Sequence, residues 1–280
     1  MNKRLNVIKY RIVMIPVMTM LVILAVIILL PIFWVLMSSF KPEPKIITYP
    51  PTLLPETFTV KNFIKVQQRI DIIGYIKNSL IYAFGTTLPA IFINSLAAYA
   101  FARYKFKGKD IIFMIFLATM MVPFQVIMVP LFLEVHALGL YNTYQGLIIP
   151  RLASAYWIFM LRAAFAGLPR ELEEAARIDG LTEFGIYGRI MIPQIVPALI
   201  TMLILGINGS WNDLLWPLLM TSSTKMSMLA NGLAIFVGSR TSEYGAAFAG
   251  SFISLIPMLI LYIFGQRYFV EGQVTSGLKG

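Results

Sequence analysis

Few side chains in this sequence could form or break covalent bonds. Among 280 residues there is a single histidine, His136, and no cysteine, so most catalytic triads and most metal sites lack their usual groups. The Gly-Lys pair at Gly108 and Lys109 lacks the upstream glycine and the following serine or threonine of a phosphate-binding loop. We therefore predict no catalytic site, no metal site and no cofactor, and we interpret His136 as a solvated loop residue.

Carboxylates in the stretch Gly-Leu-Pro-Arg-Glu-Leu-Glu-Glu-Ala-Ala-Arg-Ile-Asp-Gly, residues 167–180, have the spacing of a surface helix. Pro169 suits the first helical position, the glutamates suit the positive N-terminal end, and Gly180 suits a left-handed C-terminal cap. At 1.5 Å per residue the helix is only about 16 Å long, too short to cross a bilayer. We therefore predict a short helix at the membrane surface.

One face of this short helix carries Leu172, Ala175, Ala176 and Asp179, by the i, i+3, i+4, i+7 rule. The two adjacent alanines would leave a flat patch that another protein can approach closely. The alternative interpretation is a solvated connector held by ion pairs within the helix, between a glutamate and an arginine four residues apart.

Polar groups within apolar segments form a second candidate site. Arg151 lies inside an apolar segment, where an arginine needs a partner or a wet cavity. It could line a solute path, or its long side chain could extend to the membrane interface. Groups suited to sugar recognition cluster at the end of another apolar segment, although indoles also anchor proteins at membrane interfaces. The members of this cluster are Asn208, Trp211, Asn212, Asp213 and Trp216.

The elements that must position these residues are membrane-spanning helices. The sequence is 58% hydrophobic and 13% charged, against about 25% charged in soluble domains, and its mean hydropathy is +0.77. Crossing a hydrocarbon core of roughly 30 Å takes about 20 apolar residues. We predict an all-α membrane protein with six transmembrane helices, at 12–37, 80–101, 111–133, 144–166, 190–209 and 246–265.

The distribution of lysine and arginine predicts which connections face the cytoplasm. Four lysines and arginines precede the first span, four lie between spans two and three, and three arginines lie between spans four and five, whereas residues 134–143 have none. Residues 38–77 carry six, which opposes this pattern, but at a far lower density than the run between spans two and three. Cytoplasmic loops are enriched in such residues, so we expect both termini inside, and the net charge of +10 needs no nucleic-acid partner. The predicted domains are a cytoplasmic tail over 1–11, a six-helix domain over 12–268 and a cytoplasmic tail over 269–280.

The two long outer connections differ in composition. Residues 38–77 contain five prolines, and we predict an extended, exposed loop there. Residues 211–245 begin with aromatic side chains and continue with glycine, serine and threonine. We predict a flexible loop over 221–244.

The run Glu174-Ala175-Ala176, followed by Asp179-Gly180, closely resembles the EAA signature of ATP-binding-cassette importer permeases. The resemblance extends over nearly the whole chain and is greatest to the six-span partner of the maltose-type carbohydrate-uptake branch. Departures are small: Ile192 stands where that family often has leucine, and Leu181 where it often has a small residue. The other stretches that carry the resemblance are Ile190, Ile192-Pro193, Pro197, Asn78-Ser79-Leu80, Phe101-Ala-Arg103, Trp211-Asn212-Asp213, Trp216-Pro217, Gln266-Arg267-Tyr268-Phe269 and the closing Gly277-Leu-Lys-Gly280.

This resemblance implies a type I importer permease fold in which residues 169–180 form the coupling helix, docked on a cytoplasmic ATPase. By position, Glu174 would be the acidic contact to a basic group of the ATPase, and Ala175 and Ala176 would be the close-packing patch. Gly180 would be the turn that reverses the chain, and Asp179 a cap or a local hydrogen-bond acceptor. The chain itself would not be an enzyme, because ATP would be hydrolysed in a separate subunit.

The implied partners are a homologous second permease, two cytoplasmic ATP-binding subunits, an extracytoplasmic sugar-binding protein and membrane lipid, in a bacterial or archaeal plasma membrane. The loop over 221–244 would reach into the binding protein. One alternative is a self-contained secondary carrier, which would need paired half-repeats and coupling-ion groups within the spans. Another is a polytopic membrane enzyme, which would need a cluster of acids, histidines or cysteines on one face.

Overall fold

The fold is built from helices. The computed structural model describes residues 2–238 and 243–277, with side chains described for residues 14–238 and 243–266, and no β-strand occurs within those ranges. The predicted all-α class is confirmed. The side chains of the two predicted cytoplasmic tails, 1–11 and 269–280, lie outside the described residues.

Fourteen α-helices follow one another along the described chain, with short 3₁₀ and π-helical turns between some of them. The helices are α1 (Asn2–Ser39), α2 (Lys61–Arg69), α3 (Ile72–Arg103), α4 (Lys109–Thr119), α5 (Phe124–Ala137), α6 (Tyr144–Ile148), α7 (Ala155–Ala166), α8 (Glu171–Ile178), α9 (Glu183–Gly185), α10 (Ile192–Gln194), α11 (Val196–Trp211), α12 (Leu215–Met220), α13 (Leu229–Ala234) and α14 (Tyr244–Gly277).

Three helices are long and apolar enough to cross a membrane, within Met14–Ser39, Ile72–Arg103 and Tyr244–Gln266. Three further spans arise if each of three bent pairs counts as one. The pairs are α4 with α5, bent by 99°, Tyr144–Arg151 with α7, bent by 47°, and Glu183–Gln194 with α11, bent by 78°. The structure thus offers up to six spans, each overlapping one of the predicted segments.

Proline accounts for the breaks in the bent spans. Pro123 immediately precedes α5, Pro150 lies in the 3₁₀ turn Ile149–Arg151, and Pro197 lies in the first turn of α11. Proline removes a backbone donor and disfavours helical geometry in the residue before it. Pro89 and Pro257, in contrast, lie inside unbroken helices, so the number of prolines alone does not predict a break.

The described residues form two compact units, one comprising residues up to Ile70 with Leu233–Leu255, the other Asp71–Gly232 with the residues from Ile256 on. In the second unit α3 packs against both α7 and α11. One apolar core there surrounds Tyr99, Phe165 and Met191, and another surrounds Tyr82, Leu147 and Trp216. Both candidate sites lie in this second unit.

The first unit corrects the prediction of an extended, exposed loop after the first span. Asn62, at the start of α2, is buried, and its Nδ2 donates to the carbonyls of Ser39 and Lys41 at 2.8 Å each. The ammonium of Lys41 is also buried and donates to the Thr52 carbonyl; burial lowers the pKa of this lysine. Side-chain donors therefore satisfy carbonyls in this proline-rich segment, and its two ends fold. Residues 47–60 between them contain no helix and are mostly exposed, as predicted.

The predicted flexible loop over 221–244 is wrong for its first half. Asn78 of α3 donates through Nδ2 to the carbonyls of Lys225 and Ser227, at 2.8 and 2.9 Å, and the Ser79 hydroxyl accepts from the amide of Leu229 at 2.8 Å. These bonds fix residues 225–229 to the end of a long helix. Residues 239–242 lie outside the described part of the chain.

Glycine permits the close approach of α3 and α11. A Cβ atom added at Gly206 of α11 would lie 2.7 Å from Cγ2 of Thr87, whereas one added at Gly209, in the same helix, would meet nothing within 4 Å. Small residues at helix contacts are the usual means of close packing in membranes. Thr87 is β-branched and buried, so it has little freedom to move aside.

We expect Gly206→Ala to destabilise the fold by roughly 1–3 kcal/mol through overpacking. The matched control is Gly209→Ala, which should be neutral or slightly stabilising because alanine is the better helix former. The measurement is the thermal unfolding midpoint of each purified variant in detergent. Equal midpoints for the two variants would contradict the proposed close contact.

Candidate functional site

The short helix α8 ends as the sequence predicts. Gly180 has φ +80°, and the amides of Gly180 and Leu181 donate to the carbonyls of Arg177 and Ala176, both at 3.0 Å. This pair of bonds is the Schellman arrangement, which a left-handed glycine completes. The start differs from the prediction, because the helix begins at Glu171 and not at Pro169.

The predicted flat patch on α8 is only partly exposed, because one of its two alanines is buried. Ala176 is only 4% exposed and packs in the core with Tyr99, Phe165 and Ile186. It is therefore not available to another protein, which corrects its predicted place beside Ala175. The exposed residues of this segment include Leu172, Glu174, Ala175, Ile178 and Asp179, and Ile178 is 88% exposed.

Glu173 is the inward-facing acid of α8. It is 5% exposed, its Oε1 accepts from the Tyr99 hydroxyl at 2.8 Å, and its Oε2 lies 3.5 Å from Nε of Arg103. The intrahelical pair between Glu173 and Arg177 does not form, because Arg177 pairs with Glu183 at 2.8 Å. The interpretation of α8 as a solvated connector held by its own ion pairs is therefore wrong.

An exposed network lies beside this buried contact. The Tyr104 hydroxyl donates to Glu183 Oε2 at 2.7 Å, and both Nε and Nη2 of Arg177 donate to the same carboxylate. Burial, followed by the bond to Glu183, raises the pKa of Tyr104 to about 12. The hydrogen bond to Glu183 raises the pKa of the Arg177 guanidinium above its usual range. This network is a surface contact between the chain immediately after α8 and the end of α3.

Arg151 has a partner that the sequence did not predict. It ends the 3₁₀ turn Ile149–Arg151, and its Nη2 lies 3.1 Å from Oδ2 of Asp213. The guanidinium also covers the ring of Phe124 at 4.4 Å from the centroid, and the Tyr82 hydroxyl donates to the same Asp213 oxygen at 2.9 Å. The charge is therefore compensated within the chain.

A cavity of about 410 Å³ adjoins this pair. Its wall includes Arg151 but none of the other four predicted pathway residues. The remaining wall residues were not predicted from the sequence, because single hydroxyl and aromatic side chains within apolar segments resemble ordinary packing. They include Thr86, Thr87, Phe124, Ser154, Trp157 and Ser210.

The residues of the predicted cluster around residue 211 do not share one environment in the structure. Trp211 is 2% exposed and lies in the interior, whereas Asn208 and Asn212 are exposed and bonded to each other at 3.0 Å. Asp213 faces Arg151 and Tyr82. These residues therefore do not form one binding surface within this chain.

Other chemistry-bearing groups remain dispersed. His136 is exposed at the end of α5, where its ring contacts Phe132 and Tyr141, so it belongs to a helix and not to a loop. Among the described residues no group of three or more histidine, cysteine or carboxylate side chains could hold a metal ion.

The family profile described as "binding-protein-dependent transport system inner membrane component" matches residues 90–271, about two thirds of the chain. The chain belongs to this family. The resemblance inferred from the sequence is therefore confirmed at the level of the family, and the chain is a membrane-embedded transport permease. The matched range includes α8, the Arg151–Asp213 pair and the cavity wall from Ala90 onward.

Relatives match over almost their full length. The arabinooligosaccharides transport system permease protein AraQ of Halalkalibacterium halodurans is 36% identical over 92% of this chain and 93% of its own. The trehalose/maltose transport system permease protein MalG of Thermococcus litoralis is 33% identical over 92% and 94%. These relatives are transport permeases, so the alternative of a membrane enzyme is set aside.

A solved structure shows the same fold. One chain of a bacterial ABC transporter involved in the import of the acidic polysaccharide alginate aligns with a TM-score of 0.79 and 24% identity, covering 92% of this chain and 97% of its own. The predicted type I importer permease fold is thereby confirmed.

We expect Arg151→Gln and Asp213→Asn each to destabilise the protein by about 1–3 kcal/mol, because each leaves a partly buried charge without its partner. The double variant should lose less than the sum of the two, since it removes both charges. The measurement is a double-mutant cycle that compares the thermal unfolding midpoints of the wild type, the two single variants and the double variant. Strict additivity would mean that the two side chains do not stabilise each other.

Proposed function

We propose that this chain is a permease subunit of an ATP-driven, binding-protein-dependent carbohydrate importer whose solutes are oligosaccharides. Support comes from the names of its relatives, which include arabinooligosaccharide, diacetylchitobiose and trehalose/maltose permeases. A structural neighbour was solved in complex with an alginate pentasaccharide-bound periplasmic protein. An extracytoplasmic sugar-binding protein would deliver the solute to this chain in the same way.

The observation that carries the proposal is the division of α8 into a held face and an open face. Glu173 and Ala176 are buried against the chain itself, whereas Glu174, Ala175 and Ile178 are exposed. A helix fixed on one side and open on the other is suited to docking. We assign the open face to a cytoplasmic ATP-binding subunit, with Glu174 as the acidic contact and Ile178 as an apolar one. Asp179 borders this face, and Gly180 reverses the chain behind it.

The charge distribution supports an inward-facing α8. Arg103 donates to the Leu168 carbonyl at 2.9 Å, and Tyr104 donates to Glu183. The basic connection after α3 and the connection that holds α8 therefore lie together. The first has four lysines and arginines within residues 103–109, and the second has three arginines within 167–189; positive residues favour the cytoplasmic side. We infer a bacterial or archaeal plasma-membrane protein with both termini in the cytoplasm.

The cavity beside Arg151 is our candidate for this chain's half of the translocation pathway. It combines hydroxyl groups, an arginine and aromatic rings, which suit a hydroxylated solute better than an ion. Along α1, the side chains of residues 15–33 are all exposed, which suits contact with lipid and with a second permease. We propose that a homologous permease completes the pathway and that two ATP-binding subunits drive it.

Reversing the charge of Glu174 tests the docking role. We expect Glu174→Lys to lose its ATP-binding subunit or to lose solute-stimulated hydrolysis, because coupling energies of close interfacial charge pairs are about 1.5–7 kcal/mol. The measurement is co-purification of the assembled transporter, followed by ATP hydrolysis with the loaded binding protein.

Asp110→Lys is the matched control for this test. Asp110 is also an exposed acid in the first turn of a helix, α4, and the substitution makes the same change in charge. It should assemble and respond as the wild type does. If Glu174→Lys assembles normally and its ATP hydrolysis is stimulated normally by the loaded binding protein, the proposed docking role of α8 is contradicted.

A reconstitution experiment tests the need for a second permease. This chain with the ATP-binding subunits and the binding protein, but without a homologous partner, should give no solute uptake into proteoliposomes, since one chain forms only half of the proposed pathway. Adding the partner permease should restore uptake. Uptake by this chain alone would show that it is self-sufficient.

A further inference from the structure

Buried polar contacts join α8 to the inner end of α3. The Tyr99 hydroxyl donates to Oε1 of Glu173 at 2.8 Å, and Nε of Arg103 lies 3.5 Å from Oε2 of the same carboxylate. The side chains of Arg103 and Glu173 are only 5% and 7% exposed. Arg103 also donates through Nη2 to the carbonyl of Leu168, just before α8. One carboxylate and one guanidinium thus connect two elements that are about 70 residues apart in sequence.

This contact differs physically from the exposed network next to it. A surface ion pair contributes little to stability because water screens it, and the pair of Arg177 with Glu183 is of that kind, with both side chains 45% exposed. A buried charge that loses its partner is far more costly. Tilting α8 away from α3 would therefore separate the buried charges of Arg103 and Glu173 and break the hydrogen bond from Tyr99 to Glu173.

Packing strengthens the contact around Tyr99. Its ring lies 5.3 Å from that of Phe165 and 5.4 Å from that of Tyr187. Tyr187 in turn bonds to the Ser95 hydroxyl at 2.6 Å. Tyr99 therefore touches α7, α8 and the π-helical turn after α9 while belonging to α3.

Helix α3 continues without a break from this contact to the cavity. Thr87 and Ala90 line the cavity, and Tyr99 lies twelve residues beyond Thr87 in the same helix, about 18 Å at 1.5 Å per residue. Halfway along, Asn94 bonds through Nδ2 to the Leu152 carbonyl and through Oδ1 to the Ser154 amide, at 2.8 Å each. A displacement of the inner end of α3 would therefore reach the cavity wall.

We propose that Tyr99, Arg103 and Glu173 are positioning residues that fasten α8 rigidly to α3, so that α3 transmits the movement of α8 to the cavity wall. The proposal rests on the assignment of α8 as the ATPase contact. It gives Glu173 and Glu174 opposite tasks: Glu174 contacts the partner, and Glu173 holds the helix that the partner moves.

The first test compares two single-hydroxyl deletions. Tyr99→Phe removes the bond to Glu173 and keeps the ring, whereas Tyr104→Phe removes the bond to the exposed Glu183. In the reconstituted transporter, Tyr99→Phe should assemble and hydrolyse ATP but deliver less solute per ATP, by on the order of tenfold. Tyr104→Phe should keep the wild-type ratio. A wild-type ratio in Tyr99→Phe overturns the transmission role.

The second test does not depend on the ATPase. The chain has no cysteine, so spin labels at Glu171→Cys and Lys105→Cys, both exposed sites, report the distance between α8 and the end of α3. In the purified full chain in nanodiscs, we expect a narrow distance distribution. Adding Tyr99→Phe with Glu173→Gln should broaden it clearly, whereas adding Tyr104→Phe should not.

The two tests separate the two proposals. If the wild-type chain does not retain an ATP-binding subunit, the proposed function fails, and the distance distribution still decides whether the contact fastens α8. An unchanged distribution in the double variant overturns the fastening role even if the transporter assembles. Broadening together with a loss of solute per ATP supports both fastening and transmission.

Discussion

The structure depends on satisfying backbone groups wherever a membrane helix breaks. Lipid offers no hydrogen bonds, so groups freed at a break must find partners within the protein. Between the 3₁₀ turn ending at Arg151 and the start of α7, the side chain of Asn94 supplies these partners. Its Oδ1 accepts from the backbone amide of Ser154, and its Nδ2 donates to the carbonyl of Leu152. Nearby, Nε1 of Trp216 donates to the Leu147 carbonyl at 3.2 Å. In the bent span formed by Tyr144–Arg151 and α7, polar side chains on neighbouring elements therefore replace missing helical bonds.

Helix α3 carries most of these partners and is itself unbroken. Its buried polar face bonds to the segment 225–229 at one end, to the broken fourth span in the middle and to α8 at the other end. It approaches α11 closely where Gly206 faces Thr87. A helix that holds so many other elements cannot bend independently of them. Movement at any one of these contacts is therefore shared along the helix.

Composition and the EAA run were sufficient to predict the helical class, the approximate spans, the short helix and its left-handed end, because these follow from local chemistry. Three features could not be predicted: the burial of Glu173 against its partners on α3, the inward position of Ala176, and the ion-pair partner of Arg151. Each depends on which face of one helix meets another, and neighbouring residues such as Glu173 and Glu174 have nearly the same local sequence. The positions of the breaks do not follow from proline alone, since a helix ends beside Pro123 and continues through Pro89. In residues 38–70 the buried polar side chains Asn62 and Lys41 bond to backbone carbonyls, and no composition rule indicates their burial.

Adjacent glutamates with opposite exposure follow from helix geometry. Successive residues are separated by about 100° around a helix, so a short helix held by one face must present the next acid outward. Shifting the buried acid by one position would place a carboxylate in water and leave Arg103 buried without its partner, which is strongly unfavourable. The register of α8 is therefore determined from within the chain by Arg103 and Tyr99. A partner that recognises the outer face meets a surface whose orientation is already set, and little of the binding energy is then needed to order it.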